Sequence, residues 1–205
     1  MTRMTLGTEY FDQMYATSAD PWGFGTRWYE ARKYAISVAL LPAEHYGDAF
    51  EPGCSVGVLT EQLAPRCDRL VACDGSAAAV CQAAARTARR PNVRVQRLVI
   101  PACWPAGDFD LIVLSELLYY FAGDDLPKVL DRVTATLRPG GTLLAVHWRH
   151  PVADYPRTGD EVHQVLAGQA GLARLVEHRE PDFLAEVYIR TDGEPPSVAQ
   201  TGGLA

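Results

Sequence analysis

The apolar residues of this chain fall into two alternating rhythms, and the alternation predicts an architecture before any chemistry is considered. Short apolar runs at about 48–52, Arg69 to Cys73, 93–98, Phe109 to Leu114 and Thr142 to Val146 have the length and composition of buried strands. Helical patterns lie between them. Val56, Leu59 and Leu63 recur on one face, an alanine-rich stretch covers 77–87, and Leu126, Val129, Leu130, Val133 and Leu137 follow helical spacing until Arg138-Pro139-Gly140-Gly141 stops them. Strands alternating with helices of this length predict an α/β fold with a doubly wound, mostly parallel sheet and helices on both faces.

Outside this region the pattern changes. Tyr10, Phe11, Met14 and Tyr15 stand at near-helical spacing, ahead of a breaker run from Ser18 to Gly25 that carries Pro21 and Trp22. Ala31, Tyr34, Ala35, Val38 and Leu41 predict a helix that Thr26 can cap and Pro42 ends. Downstream, Thr158-Gly159-Asp160-Glu161 has the form of a capping box, and 172–179 with 183–190 read as an antiparallel hairpin around Pro181-Asp182. The hairpin brings the expected strands to seven. The reading is one domain over 1–190, with an aromatic lid at about 1–45 and a flexible tail at 191–205.

Composition narrows what such a domain can do. With 205 residues, of which 48% are hydrophobic and 21% charged, the chain suits a single core. A formal charge of -6 argues against a nucleic-acid partner. The cluster Arg86, Arg89, Arg90, Arg94 and Arg97 is the local exception, and it reads as a solvated helix end. Five cysteines without C-x-x-C spacing, at 54, 67, 73, 81 and 103, read as reduced thiols. The opening residues lack an apolar leader core, and no run reaches the roughly 18 apolar residues of a membrane helix, so a soluble cytoplasmic protein is expected.

The candidate chemistry sits in Glu51-Pro52-Gly53-Cys54-Ser55-Val56-Gly57, a glycine turn between the first strand and a helix, where open α/β sheets bind ligands. A dinucleotide fingerprint would need glycine at 55 and 58, which hold Ser55 and Val58. NAD is therefore disfavoured. Gly53-Cys54-Ser55-Val56-Gly57 also matches the G-x-S-x-G elbow of serine hydrolases, with Asp110 and His147 following in hydrolase order. The third chemistry is adenosyl cofactor binding. Asp74 follows Gly53 by 21 residues and ends the second strand, where its carboxylate can accept the ribose hydroxyls. The turn amides at 54–57 can take a methionyl carboxylate. Arg32 is a further candidate carboxylate clamp.

The set Glu51-x-Gly53-x-Ser55-x-Gly57, Asp74, Phe109 to Glu116 and Leu137 to Thr142 resembles the ordered motifs of class I S-adenosylmethionine-dependent methyltransferases. More narrowly, Asp20-Pro21-Trp22, Tyr29-Glu30, Lys33-Tyr34, the turn through Glu61, Leu114 to Tyr120 and His147-Trp148-Arg149-His150-Pro151 resemble the nodulation protein S (NodS-like) family over roughly 10–165. The resemblance implies a Rossmann-like seven-stranded sheet. It implies S-adenosyl-L-methionine as cofactor, with S-adenosyl-L-homocysteine as product, and N-methylation of an amino sugar. The cofactor set is then Glu51, Gly53, Cys54, Ser55, Gly57, Asp74, Gly75, Ser76, Val99, Ile100 and Ser115, with Trp22 and Arg32 from the N-terminal segment. The chain departs from such enzymes after the third strand, where Leu98-Val99-Ile100 replaces the acidic residue that often holds adenine. The strand ends nominate Glu116, His147 and His150 for catalysis, with a histidine as base, and Tyr119, Tyr120 and Trp148 for the acceptor. No metal site is expected, because His147 and His150 lack a convincing third ligand. An O-methyltransferase of secondary metabolism is the near alternative, and the serine hydrolase using Ser55 a more distant one. The partner is a small molecule, with no nucleic acid or membrane, and the protein a monomer or homodimer.

Overall fold

The strand at the centre of the fold, β1 (Tyr46–Pro52), has β2 (Cys67–Asp74) on one side and β4 (Phe109–Ser115) on the other, both parallel to it. Its register pairs Phe50 with Val71 and with Ile112. The computed structural model describes residues 4–204, and the expectations for residues 1–3 and 205 lie outside that range. Among the described residues β3 (Val93–Arg97), β5 (Leu137–Trp148), β6 (Leu172–Arg179) and β7 (Phe183–Arg190) complete a seven-stranded sheet in the order 3-2-1-4-5-7-6. The first five strands are parallel, while β7 runs antiparallel to both β5 and β6. The strand order reverses between β1 and β4, which opens a crevice beyond their carboxyl ends.

Alternation along the strands explains why both faces are covered. Ile112 and Leu114 point to one face with α5 (Asp125–Thr136), whose Leu126, Val129, Leu130 and Val133 are fully buried. Leu111 and Val113 point to the other, where Tyr34 of α2 (Trp28–Ala39) and Leu59 and Leu63 of α3 (Val58–Leu63) join them. Each fully buried aliphatic side chain contributes about 1.5–3 kcal/mol, so these two layers are the main stabilising force. The remaining helices are α1 (Thr8–Thr17), α4 (Ala77–Arg86), α6 (Gly159–Ala167) and α7 (Val198–Thr201). The capping box at Thr158 is formed in full: its hydroxyl accepts from Glu161 N, and the Glu161 carboxylate accepts from Thr158 N.

Several boundaries differ from the sequence expectation. Thr26 does not cap α2. Its hydroxyl turns back to the Gly23 carbonyl, and Arg27 stands at the N-cap without a side-chain bond. Leu137 opens β5 instead of closing α5, because it pairs with Phe109 across a register shift, and β5 is longer than Thr142 to Val146 in consequence. In the stretch assigned to a tail, Ser197 caps the four-residue α7.

Candidate active site

A cavity of about 620 Å³ lies over the carboxyl ends of β1, β2 and β4, roofed by residues preceding α1, by Phe11 and Tyr15 of α1, and by Trp22 and Phe24. Two of the latter rings stack at 5.5 Å, and Tyr15 meets Trp22 edge-on at 5.7 Å. Two side-chain bonds tie α1 down: Tyr15 Oη shares a 2.6 Å bond with Ser55 Oγ, and Ser76 Oγ donates to Asp12 at 2.6 Å. Each joins the N-terminal helix to a strand-end turn.

The glycine turn is a close-fitted bend. Gly53 and Gly57 have φ of +75° and +77°, and a Cβ on Gly57 would come within 2.9 Å of the Ala83 backbone. Ser55 shares the left-handed conformation at φ +50°, which costs a residue with a side chain energy that glycine avoids. Its amide donates to Asp74 Oδ2 at 3.0 Å, and Ser76 N donates to Asp74 Oδ1 at 2.9 Å. The Asp74 carboxylate thus keeps acceptor capacity toward the cavity that it lines. Burial raises the carboxyl's pKa against the stabilising amides of Ser76, Ser55 and Gly75. The amides expected to bind an anion are largely committed. Gly53 N and Cys54 N donate to the Cys73 carbonyl, Ser55 N to Asp74, and Gly57 N to the Cys54 carbonyl. That part of the expectation is corrected, because the turn needs these bonds to hold its own shape.

Glu51 is the second acid of this half. It is 2% exposed and lines the cavity, and its Oε2 has no hydrogen-bond partner among the described residues. Burial pushes its pKa up to about 8, with the Asp74 charge adding to the rise and the Thr60 hydroxyl opposing it. The apolar wall after β3 is Leu98, Val99 and Ile100.

The opposite wall is built around Glu116, which lines the cavity at φ +53°. Its Oε1 receives Lys33 Nζ at 2.6 Å, and its Oε2 accepts Trp148 N at 3.0 Å as well as the Tyr119 hydroxyl. Lys33, itself 2% exposed, also bridges Glu30 at 2.9 Å. Burial works against the Lys33 charge, yet the carboxylates of Glu116 and Glu30 outweigh it and hold the ammonium above its usual range.

Of the predicted residues, Trp22, Glu51, Gly53, Cys54, Ser55, Asp74, Gly75, Val99, Ile100, Ser115, Glu116 and Tyr120 line this one cavity. Gly57 and Ser76 support the turns beneath it. The others are placed elsewhere. Arg32 makes a bidentate pair with Glu180 at 2.7 and 2.8 Å on the outer surface of α2, so it is not a clamp for a cavity ligand. His147 is fully buried: its Nε2 accepts Leu118 N at 3.1 Å and its Nδ1 lies 3.0 Å from His163 Nε2. His150 is exposed and bonded to Asp182 at 2.8 Å. Neither histidine meets the cavity, which removes both as contact bases, and they do not meet each other. Tyr119 packs behind the wall against Tyr155 at 4.9 Å, and the Trp148 ring turns toward Tyr29 and His150.

The hydrolase alternative fails on geometry. Asp110 lies at the amino end of β4, bound to Arg138 and the amides of Gly47 and Asp48, while Ser55 lies beyond the carboxyl end of the parallel β1. His147 faces neither. Among the described residues no three His, Cys, Asp or Glu side chains are grouped to hold a metal.

Sequence reasoning assigned no polar role to Lys33 or Tyr15 and did not single out His163 or Glu186. Lys33 had a signal, since Glu30, Lys33 and Tyr34 share one helical stripe, where an i, i+3 ion pair can be buried.

A glycine turn closing β1 and a carboxylate closing β2, around one cavity in a sheet of this order, define a class I methyltransferase fold. The family described as Nodulation protein S (NodS) matches residues 11–171, and the chain belongs to that family. Nodulation protein S of Rhizobium tropici is 34% identical over 137 residues, which are 61% of this chain and 53% of that protein. The match thus spans about half the length of that relative. The crystal structure of N-methyltransferase NodS from Bradyrhizobium japonicum WM9 in complex with S-adenosyl-L-homocysteine superposes with a TM-score of 0.80 at 25% identity, covering 89% of this chain and 97% of that one. A solved structure from Pseudomonas syringae is 47% identical, with a TM-score of 0.72 over 80% of this chain and 100% of its own.

Proposed function

We propose that this chain is a cytoplasmic S-adenosylmethionine-dependent methyltransferase that methylates the amine of a small molecule of the amino-sugar class. The observation that carries the cofactor is the pair of carboxylates on one cavity. Glu51 presents a buried oxygen without a hydrogen-bond partner among the described residues, which a ligand ammonium would satisfy, and Asp74 retains acceptor capacity for a ligand hydroxyl. Leu98, Val99 and Ile100 offer an apolar face for adenine. Tyr15 and Ser55 share one hydroxyl bond, so one of their two protons is spare for a ligand carboxylate. The family membership and the S-adenosyl-L-homocysteine complex of the Bradyrhizobium protein support the same reading. The N-terminal aromatic segment acts as the lid of a single catalytic domain.

The cofactor supplies a methyl group already activated on a sulfonium. The residues of the chain have to bring the nucleophile into line and exclude water, and positioning of this kind is worth on the order of 7–11 kcal/mol. Phe11, Tyr15, Trp22 and Phe24 exclude water from above. Glu116, held by Lys33, Tyr119 and the Trp148 amide, orients the acceptor through the lone pairs left to it. The chemistry of the wall supports a nitrogen acceptor. A hydroxyl would need a strong contact base, and with both candidate histidines away from the cavity this wall offers only the Glu116 carboxylate, already engaged by Lys33, Tyr119 and the Trp148 amide, whereas an amine brings its own lone pair once its ammonium has lost a proton to water. Transfer of radiolabelled methyl from S-adenosylmethionine to a panel of amino sugars tests this. Label on free amines and none on their N-acetylated counterparts is expected, and label on hydroxyls alone would overturn the choice of atom.

A further inference from the structure

Behind the acceptor wall three polar side chains from three elements form a line that the mechanism above does not use. His147 on β5, His163 on α6 and Glu186 on β7 are 0%, 3% and 1% exposed. Leu118 N lies 3.1 Å from His147 Nε2, His147 Nδ1 lies 3.0 Å from His163 Nε2, and His163 Nδ1 lies 2.6 Å from Glu186 Oε2. Glu186 also accepts Tyr188 Oη and Arg174 Nη1, each at 2.6 Å. Arg174 is half exposed, so the line runs from the cavity wall to the outer edge of the sheet.

The direction of every bond follows from its first member. A backbone N–H can only donate, so His147 Nε2 carries no proton and the ring proton sits on Nδ1. That proton points at His163 Nε2, which must accept, and the His163 proton is therefore on Nδ1, aimed at Glu186. A doubly protonated His163 would set two protons face to face between the rings. Both histidines are thus neutral in one tautomer, and burial, with the Lys33 charge nearby, keeps His147 well below its ordinary pKa. Because a backbone amide cannot pass a proton onward, the line does not conduct protons into the cavity. Orientation is what it supplies.

What it orients is the 3-10 turn Leu118–Tyr120, which follows Glu116 in its left-handed conformation. That turn carries Tyr119, whose hydroxyl holds Glu116, and Tyr120, which lines the cavity. We infer that His147, His163 and Glu186 form a positioning relay that fixes the acceptor wall from the far side of the sheet. The relay rests on the methyltransferase reading for its effect on the acceptor, although its proton arrangement does not.

Two measurements on the full chain test it. Nitrogen NMR of labelled histidines in the wild type should find His147 and His163 both neutral with Nδ1–H. An Nε2–H tautomer at His147, or an imidazolium at His163, would overturn the relay. In kinetics, His147→Leu should raise the acceptor KM or lower acceptor turnover roughly 10- to 100-fold, the fold-change of a lost buried hydrogen bond. His147→Gln, whose amide oxygen can still accept Leu118 N, should recover most of that loss. Both variants should keep wild-type affinity for S-adenosylhomocysteine by calorimetry. Equal loss of cofactor affinity and acceptor turnover in both variants would mean a merely structural role and overturn the proposal. Absence of S-adenosylhomocysteine binding to the wild type would instead overturn the functional reading and with it the wall's role, while the Nδ1–H pair would still establish the proton arrangement.

Discussion

The two walls of the cavity are built on different principles. The wall at β1 and β2 is local: a turn of five residues folds on its own amides, and Asp74 closes it by accepting Ser55 N and Ser76 N. The wall at β4 and β5 is assembled from distant parts of the chain. Lys33 meets Glu116 across 83 positions, and His147, His163 and Glu186 arrive on three separate elements. A turn-built wall presents backbone geometry and two carboxylates to a ligand of fixed shape. A wall built from side chains can be rebuilt for a different acceptor while the first wall stays as it is.

If the walls are independent, damage to one should leave the other working, and the largest damage is to be had at Lys33. Lys33→Met would strand the Glu30 and Glu116 carboxylates in a buried site, and removing one partner of a buried ionic group costs about 3–5 kcal/mol. Thermal denaturation should show this as a large drop in Tm, and S-adenosylhomocysteine should still bind to the fraction that folds. A Tm within a degree or two of wild type would mean the triad is not the anchor of the second wall.

Glu51 offers a smaller effect, confined to the first wall and dependent on pH. Its folded pKa, about 8, lies above the ordinary 4.5, so between those values the folded chain holds a proton that the unfolded chain has lost. Stability from this group is complete below pH 4.5 and is lost as the pH rises through 8. The upper bound is about 5 kcal/mol, at about 1.36 kcal/mol per pKa unit. Glu51→Gln should flatten the decline of Tm between pH 5 and 9, whereas a variant with the wild-type slope would show that Glu51 is ionised in the free protein. The smallest effect is expected at Arg32. Arg32→Ala removes a surface pair with Glu180 and should change neither Tm nor cofactor affinity measurably. A clear loss of cofactor affinity would restore it as a clamp.

The same contrast decides what could be read from the chain beforehand. The alternating strands and helices, the capping box at Thr158, the terminal hairpin and the turn with Asp74 are set by neighbours in sequence, and each carries a pattern that survives without coordinates. His147 shows where this ends. Its place at a strand end makes it look like a base, but whether a strand-end side chain faces the cavity or the layer behind depends on α6 and β7, which supply His163 and Glu186. Arg32 and Lys33 are adjacent, and only the rotation of α2 against the sheet puts one outside and the other in the core. The amides of the glycine turn likewise look free until the bonds that shape the bend are traced to the Cys73 carbonyl and Asp74.

The independence of the two walls is tested most directly by calorimetry with S-adenosylhomocysteine on the wild type, Asp74→Ala and Glu116→Gln. Asp74→Ala should lose roughly 10- to 150-fold in affinity, the worth of a charged hydrogen bond of about 1.5–3 kcal/mol, and Glu116→Gln should stay close to wild type. Failure of the wild type to bind, or equal losses in the two variants, would contradict the account.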